Sequence, residues 1–252
     1  MNANQKGKGK RTSKNVVAAA RPGSSHRGTY LAAAAVILIA VVVIGGIFYQ
    51  HSRTTAANDG YGSAKTAAVT VSDGVVRVGA PNAPVTLNAY EDFLCPICGQ
   101  FEATYGQQIA QELDQGKIAI KYHMLDFLNQ SSASKDYSSR AAGAALCVAS
   151  DGTGSVFPKF HSALFATGTQ PQEGSKSDLS NDALAKVAAD AGATSSAQQC
   201  ISSGAKVADA KSASQAGQAA LQASGNQVAT PTILNGTTKI DINDRNWLSN
   251  LK

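Results

Sequence analysis

The stretch Tyr90-Glu91-Asp92-Phe93-Leu94-Cys95-Pro96-Ile97-Cys98 decides how this 252-residue chain folds. Just before it, Val85-Thr86-Leu87-Asn88-Ala89-Tyr90 alternates apolar and polar side chains, the pattern of a half-buried strand. Just after it, Phe101, Tyr105, Ile109 and Leu113 recur every four residues, which predicts one buried face of a helix from Pro96 to Gln115. Pro96 suits the first turn, where its missing N–H costs nothing, and Gly116 suits the end. Ile118 to Leu125 is a second apolar run and reads as a strand. The quoted stretch is therefore the strand-to-helix corner of a β–α–β unit, with a Cys-x-x-Cys pair at the corner.

That position gives the pair its chemistry. A helix N-terminus carries about half a positive charge and free N–H groups, and both stabilise a thiolate. The thiolate is the species that attacks and leaves in disulfide exchange. Two intervening residues let one helical turn bring both sulfurs together. Cys95, nearer the exposed end, is expected to attack, and Cys98 to resolve the mixed disulfide. Two other readings of the pair are open. Half a zinc site needs partners, yet Cys147 and Cys200 are not a close pair, and His123 and His161 stand at no ligand spacing. A purely structural Cys95–Cys98 disulfide would close too short a loop to gain much. No metal is expected.

Working outward, Ala80-Pro81-Asn82-Ala83-Pro84 reads as a turn and Val75-Val76-Arg77-Val78 as a short edge strand. Residues 51–74 are rich in Ala, Thr, Ser and Gly and read as a linker. Residues 136–225 are Ala-rich with few strand signals, and helices are expected near 136–149, 155–167, 180–191 and 196–223. Two strands, Thr232-Ile233-Leu234 and Lys239-Ile240, flank the turn signal Asn235-Gly236. A short final helix is expected over 243–251, carrying Trp247, Leu248 and Leu251. The order is β–α–β, a helical block, then β–β–α: an α/β chain with an α-helical insertion.

The 22 Lys and Arg against 17 Asp and Glu give +5, but eight of the basic residues lie at or before Arg53 and no acid precedes Asp59. Residues 54–252 hold the remaining 14 basic and all 17 acidic residues, about −3, so no basic face for nucleic acid is expected on the folded part. Residues 1–28 read as a basic cytoplasmic tail. The uncharged run Leu31 to Tyr49 has 19 residues, close to the roughly 20 that span a bilayer. With most positive charge before it, the expectation is a single transmembrane helix at 29–50, N-terminus inside. The rival, a cleaved leader, has a core of about 7–15 residues and a small-residue cleavage site; Thr55-Ala56-Ala57 is a weak candidate. Residues from about 51 onward are then extracytoplasmic, where cysteines pair readily.

The run Tyr90 to Cys98 resembles the active-site segment of DsbA-like disulfide oxidoreductases. Ala229-Thr230-Pro231-Thr232 resembles their cis-proline loop, and Phe157-Pro158-Lys159-Phe160-His161-Ser162-Ala163-Leu164-Phe165 a helix of their inserted helical domain. The resemblance covers about 75–252. It implies a thioredoxin fold with an inserted α-helical domain, thioredoxin-fold parts at about 75–130 and 226–252 and an insertion at about 131–225. It also implies a catalytic Cys95 and Cys98, a docking edge at Thr230 and cis-Pro231 beside Pro96 and Ile97, and no cofactor beyond the redox-active disulfide. Membrane-anchored members with an additional cysteine pair occur in actinobacteria.

This chain departs from the family at Ile97, where many members have His. Without an imidazole there, Cys95 is expected to be acidic but less so than in the strongest oxidants, with a potential nearer the thioredoxin end. The central strand lacks its usual acid, which leaves Glu91 and Asp92 as candidates for proton handling or as plain loop acids. Cys147 and Cys200, both in the helical block, are expected to form a structural disulfide; two free buried thiols are the alternative. His161 reads as a packing residue and His123 as a residue near the site rim.

The expected function is donation of the Cys95–Cys98 disulfide to unfolded exported proteins with cysteines. Regeneration would fall to a membrane reoxidase of DsbB or vitamin-K-epoxide-reductase (VKOR) type. A disulfide isomerase or reductase uses the same residues in the other direction. A non-catalytic tethered module that binds peptide or metal is a third reading.

Overall fold

The computed structural model describes residues 61–152 and 154–251. The apolar run from Leu31 to Tyr49, and with it the expected membrane span, lies outside these residues. Among the described residues no helix is long and apolar enough to cross a membrane.

A six-stranded sheet is built from β1 (Val69–Ser72), β2 (Val75–Gly79), β3 (Val85–Glu91), β4 (Ile118–Met124), β5 (Thr232–Asn235) and β6 (Thr238–Lys239), in the order β1-β2-β4-β3-β5-β6. Strands β3 and β4 are parallel, with Leu87 opposite Ile120, and are joined by helix α1 (Pro96–Asp114). The β–α–β unit is as expected, and α1 buries Phe101, Tyr105, Ile109 and Leu113. Alternation along β3 sends Val85, Leu87 and Ala89 into the main core, while Tyr90 joins Leu125, Leu221 and Leu234 in a smaller cluster. These side chains bury apolar area at about 25 cal/mol per Å², the main favourable contribution to the fold.

Between β4 and β5 come α2 (Tyr137–Ala149), α3 (Val156–Phe165), α4 (Asn181–Ala191), α5 (Ser195–Ser202) and α6 (Val207–Ala223). Helix α2 is buried on nearly every side, including Ala141, Ala142, Ala144 and Ala145. This explains the Ala-rich composition: with helices on several sides, only small side chains leave room for close packing.

Four expectations change. The expected linker, 51–74, carries β1, so Val75–Gly79 is not the edge strand. Its local signal is Asp73-Gly74, whose φ values of 51° and 73° make the two-residue hairpin turn. Residues 65–67 are also held, because the Asp114 carboxylate accepts the N–H groups of Lys65, Thr66 and Ala67 at 2.8–3.0 Å. The single helix expected over 196–223 is two, α5 and α6, broken where Gly204 takes φ 68°. Helix α6 belongs with the sheet: its Leu221 packs in the Tyr90 cluster, and Gly217 lies against Leu125 and His123. The helical insertion thus ends near residue 206 and not 225. Residues 243–251 are successive turns, because Asp241 and Asp244 accept the N–H groups of Asn243 and Asn246 and so compete with helical bonding. Trp247 and Leu248 are buried all the same, with Trp247 stacked near Phe101.

Candidate active site

Strand β3 ends at Glu91, and four residues later Cys95 caps α1 with extended backbone (φ −69°, ψ 116°), Pro96 following in the first turn. The Gly99 N–H donates to the Cys95 carbonyl at 3.2 Å, which closes that turn. Both cysteines are free thiols. Cys95 retains 5% exposure and Cys98 none, so only Cys95 is open to attack by an outside sulfur. Ile97 is 49% exposed beside it, an uncharged apolar rim on the site.

The Thr230–Pro231 peptide is cis. The Thr230 carbonyl lies 3.4 Å from Cys95 Sγ, so the expected pairing of the dithiol with the proline loop is present across 135 residues of chain. The Thr230 hydroxyl is buried without a hydrogen-bond partner, and its side chain is among the influences that lower the Cys95 thiol.

The two sulfurs are driven apart electrostatically. A hydrogen bond from the Cys98 thiol is the largest influence pulling Cys95 down to about 6; burial opposes it, and Thr230 and the N–H groups of Cys98 and Ile97 reinforce it. Cys98 is pushed well above the ordinary thiol value, chiefly by burial. At neutral pH, therefore, Cys95 is the thiolate and Cys98 the proton-bearing reserve. Far-ultraviolet thiolate absorbance of the reduced protein is expected to rise with a midpoint near pH 6. A midpoint near 9 would remove the activated nucleophile from the account. About 6 falls in the upper half of the range for activated cysteines, about 3.5–7.5.

Glu91 and Asp92, the two candidate acids, are both buried, at 2% and 0% exposure, and do different things. Asp92 ties loops: it accepts from Leu94 N–H at 2.9 Å and Leu128 N–H at 3.1 Å, and burial lifts it to about 7. Glu91 faces the main core. Its Oε2 is 3.0 Å from His161 Nε2 on α3, and burial raises its pKa. His161 is packed among Phe93, Tyr122, Phe157 and Phe165, as read from the sequence, but it is also Glu91's polar partner. His123 is not at the dithiol; it stacks on Tyr90 and contacts Asn88, and burial lowers it to about 4.

Two site residues escaped the sequence reading. Gln170, in the loop after α3, donates from Nε2 to the Phe93 and Cys95 carbonyls at 3.2 and 2.9 Å and fixes the corner. A Cβ at Gly99 would sit 2.3 Å from Gln170 Oε1, so the glycine inside the first turn makes room for it. Nothing in the sequence marks a loop glutamine, although a glycine directly after Cys98 hinted at a close approach. Glu102, one turn beyond Cys98, completes a buried group with Glu91 and His161. Their ligand-type atoms lie within 4.8 Å of one another, but His161 turns opposite ring nitrogens toward the two carboxyls, which does not suit a single ion. Cys147 and Cys200 are disulfide-bonded, joining α2 to α5.

Comparison with known proteins agrees with this geometry. The thioredoxin family model matches residues 70–251. The chain belongs to the thioredoxin family. Within it, the chain is similar to solved structures of the DsbA kind. DsbA of Mycobacterium tuberculosis is 34% identical with a TM-score of 0.56, over 69% of this chain and 85% of that one. MdbA of Corynebacterium diphtheriae, a thiol-disulfide oxidoreductase, shares the fold at 22% identity and a TM-score of 0.66, over 77% of this chain and 98% of that one. The serine/threonine-protein kinase PknE of Mycobacterium tuberculosis is 36% identical over 181 residues, 72% of this chain. The chain spans about a third of the length of the curated relatives it matches.

Proposed function

We propose that this protein is an extracytoplasmic protein disulfide oxidoreductase that donates the Cys95–Cys98 disulfide to unfolded exported proteins. The observation that carries the reading is the opposed acidity of the two sulfurs at the N-terminus of α1, beside the Thr230–Pro231 edge. A substrate thiolate attacks Cys95 Sγ, the Cys95–Cys98 bond breaks, and Cys98 leaves and takes a proton. A second substrate thiolate then attacks the substrate sulfur of the mixed disulfide, and Cys95 leaves as a stable thiolate. The substrate gains a disulfide and the protein keeps two electrons as a dithiol. The Thr230 backbone offers strand-like pairing that holds an extended peptide in line. Of the two acids, Glu91 is assigned the proton exchange with Cys98, whose thiol its charge helps to raise; Asp92 ties the loop through the Leu94 and Leu128 N–H groups.

The dithiol must then be reoxidised, which calls for a membrane partner of DsbB or VKOR type. A span at 29–50, with the basic tail inside, keeps both in one plane and the catalytic domain outside. The mildly acidic charge of residues 54–252 fits protein substrates and not nucleic acid. The Cys147–Cys200 disulfide fits the same oxidising side of the membrane.

The direction of transfer is tested by the reduction potential against glutathione. Because the Cys95 pKa is depressed, its thiolate favours the reduced folded state most above the free-thiol value, and that advantage fades as pH falls through about 6. The midpoint is expected between about −200 and −250 mV, more oxidising than the roughly −270 mV of thioredoxin. Its slope should be about 59 mV per pH unit below pH 6, where two protons accompany two electrons, and about 30 mV above it. A midpoint below −270 mV would favour the reductase reading.

A further inference from the structure

The catalytic corner is held from outside its own strand and helix. Gln170 lies in the loop 166–180, between α3 and α4, and its Nε2 spans the Phe93 and Cys95 carbonyls at 3.2 and 2.9 Å. The loop is itself fastened at both ends. On the α3 side, the Gln170 N–H donates to the Ala166 carbonyl at 3.0 Å, and Phe165 packs on Phe93 with ring centroids 5.0 Å apart. Further on, the Gly174 N–H donates to the Ser131 carbonyl at 2.7 Å. The Asp178 carboxylate accepts the Ser134 N–H at 2.8 Å and pairs with Arg140 of α2 at 2.7 Å, and this pair is largely buried. The Gln170 amide therefore meets the corner at a set place. Gly99 is matched to that contact, since a Cβ there would collide with Gln170 Oε1. The Cys95 carbonyl also accepts the Gly99 N–H at 3.2 Å, so one oxygen joins the first turn of α1 to the loop.

We propose that Gln170 is a positioning residue: through it the helical insertion holds the first turn of α1 against the Cys95 sulfur, and so sets how well that sulfur attacks and leaves. The inference deepens the disulfide-exchange reading of Cys95 and Cys98 and rests on it. Gln170 acts on the sulfur through other groups. Those that bond it are the Cys98 thiol, the Thr230 side chain and the N–H groups of Cys98 and Ile97. All but Thr230 belong to the first turn of α1. Their aim depends on how the peptides after Phe93 and Cys95 lie, and Gln170 pins both by their carbonyls. A hydrogen bond weakens steeply as its angle departs from linear, so a small tilt of this turn costs the thiolate its donors. Gln170 carries no charge. The titratable groups around the sulfur are Cys98 on the same turn and Glu91 and Asp92 where β3 runs into the corner. Replacing Gln170 by another uncharged side chain alters none of them, so a change in Cys95 reads position and not charge.

The test is a titration of the full reduced chain by thiolate absorbance, with the equilibrium against glutathione measured at pH 7. It compares the parent, Gln170→Met, Gly99→Ala and the two substitutions combined. Gln170→Met keeps the length and bulk of the side chain but donates nothing. Gly99→Ala keeps Gln170 but displaces its amide, and what moves is the end of a flexible side chain, so the backbone can stay. Each single variant is expected to raise the Cys95 midpoint by about half a unit to one unit, the scale of one lost hydrogen bond. Each should also move the glutathione equilibrium about two- to fivefold toward the oxidised protein, because the thiolate stabilises the reduced form less. The combined variant is expected to shift no further than either single one, since both remove the same contact. Gly99→Ala reads the contact should Gln170→Met not fold, and the reverse. A folded single variant that still titrates with the parent would overturn the proposal, as would shifts that add in the combined protein. A parent midpoint near 9 would instead overturn the activated thiol, and with it the exchange reading beneath.

Discussion

Cys98→Ser is expected to donate no disulfide but to hold a substrate whose disulfide it attacks on Cys95 as a stable mixed disulfide, while Cys95→Ser abolishes both trapping and turnover. The asymmetry follows from access and charge. Cys95 caps the helix, keeps some exposure and is a thiolate at neutral pH; Cys98 is sealed and protonated. With Cys98 removed, Cys95 still attacks, but no neighbouring sulfur can displace the partner. With Cys95 removed, the remaining thiol lies out of reach of any protein substrate, and exchange falls to the uncatalysed level. Trapping experiments on non-reducing gels, with identification of the bonded peptide, would check this. A Cys98→Ser protein that traps nothing, or a Cys95→Ser protein that traps as well, would reverse the assignment.

The second large effect is on stability. Replacing Cys147 and Cys200 together by Ala should destabilise the protein by about 4 kcal/mol on the chain-entropy account for a bridge of sequence separation 53. For a domain of this size that corresponds to roughly 10 °C in melting temperature. The helices it joins need the bond. Helix α2 packs through alanines, each of which buries little apolar area, and α5 has eight residues of which Ala197 and Ile201 are buried. Below its own melting point the variant should keep the Cys95 titration near pH 6, because neither cysteine of the bond is among the groups that set it. Calorimetry showing an unchanged melting temperature would mean that helix packing alone holds the insertion.

How far residues speak for themselves depends on how local their signal is. The β–α–β corner was legible because strand alternation, Pro96 and the four-residue spacing from Phe101 to Leu113 all lie within thirty residues. Asp73-Gly74 is equally local, but the short strand before it, Val69–Ser72, sits in a stretch whose composition looks like linker and masks the turn. The break between α5 and α6 hangs on one glycine in an Ala-rich run, where helix propensity points the wrong way. The site divides along the same line. Cys95, Cys98 and their resemblance to the DsbA-like segment were readable, and Pro231 through that resemblance. Gln170 and Glu102 were not, because what matters about them is what they meet: two carbonyls of the corner for one, a histidine 59 residues later for the other. His161 shows the limit from the other side. Its helix face was read as packing, and it is packed, but its Nε2 meets a carboxyl 70 residues earlier in the chain.

The most direct test of the account is transfer itself. The oxidised chain would be mixed with one equivalent of a reduced, unfolded protein that needs a disulfide, and the thiols of both counted over time, with insulin reduction by the reduced chain measured in parallel. The account predicts that the substrate gains one disulfide as Cys95 and Cys98 become free thiols, faster than insulin is reduced, and that Cys95→Ser transfers nothing. Brisk insulin reduction with no disulfide passed to the unfolded protein would contradict it.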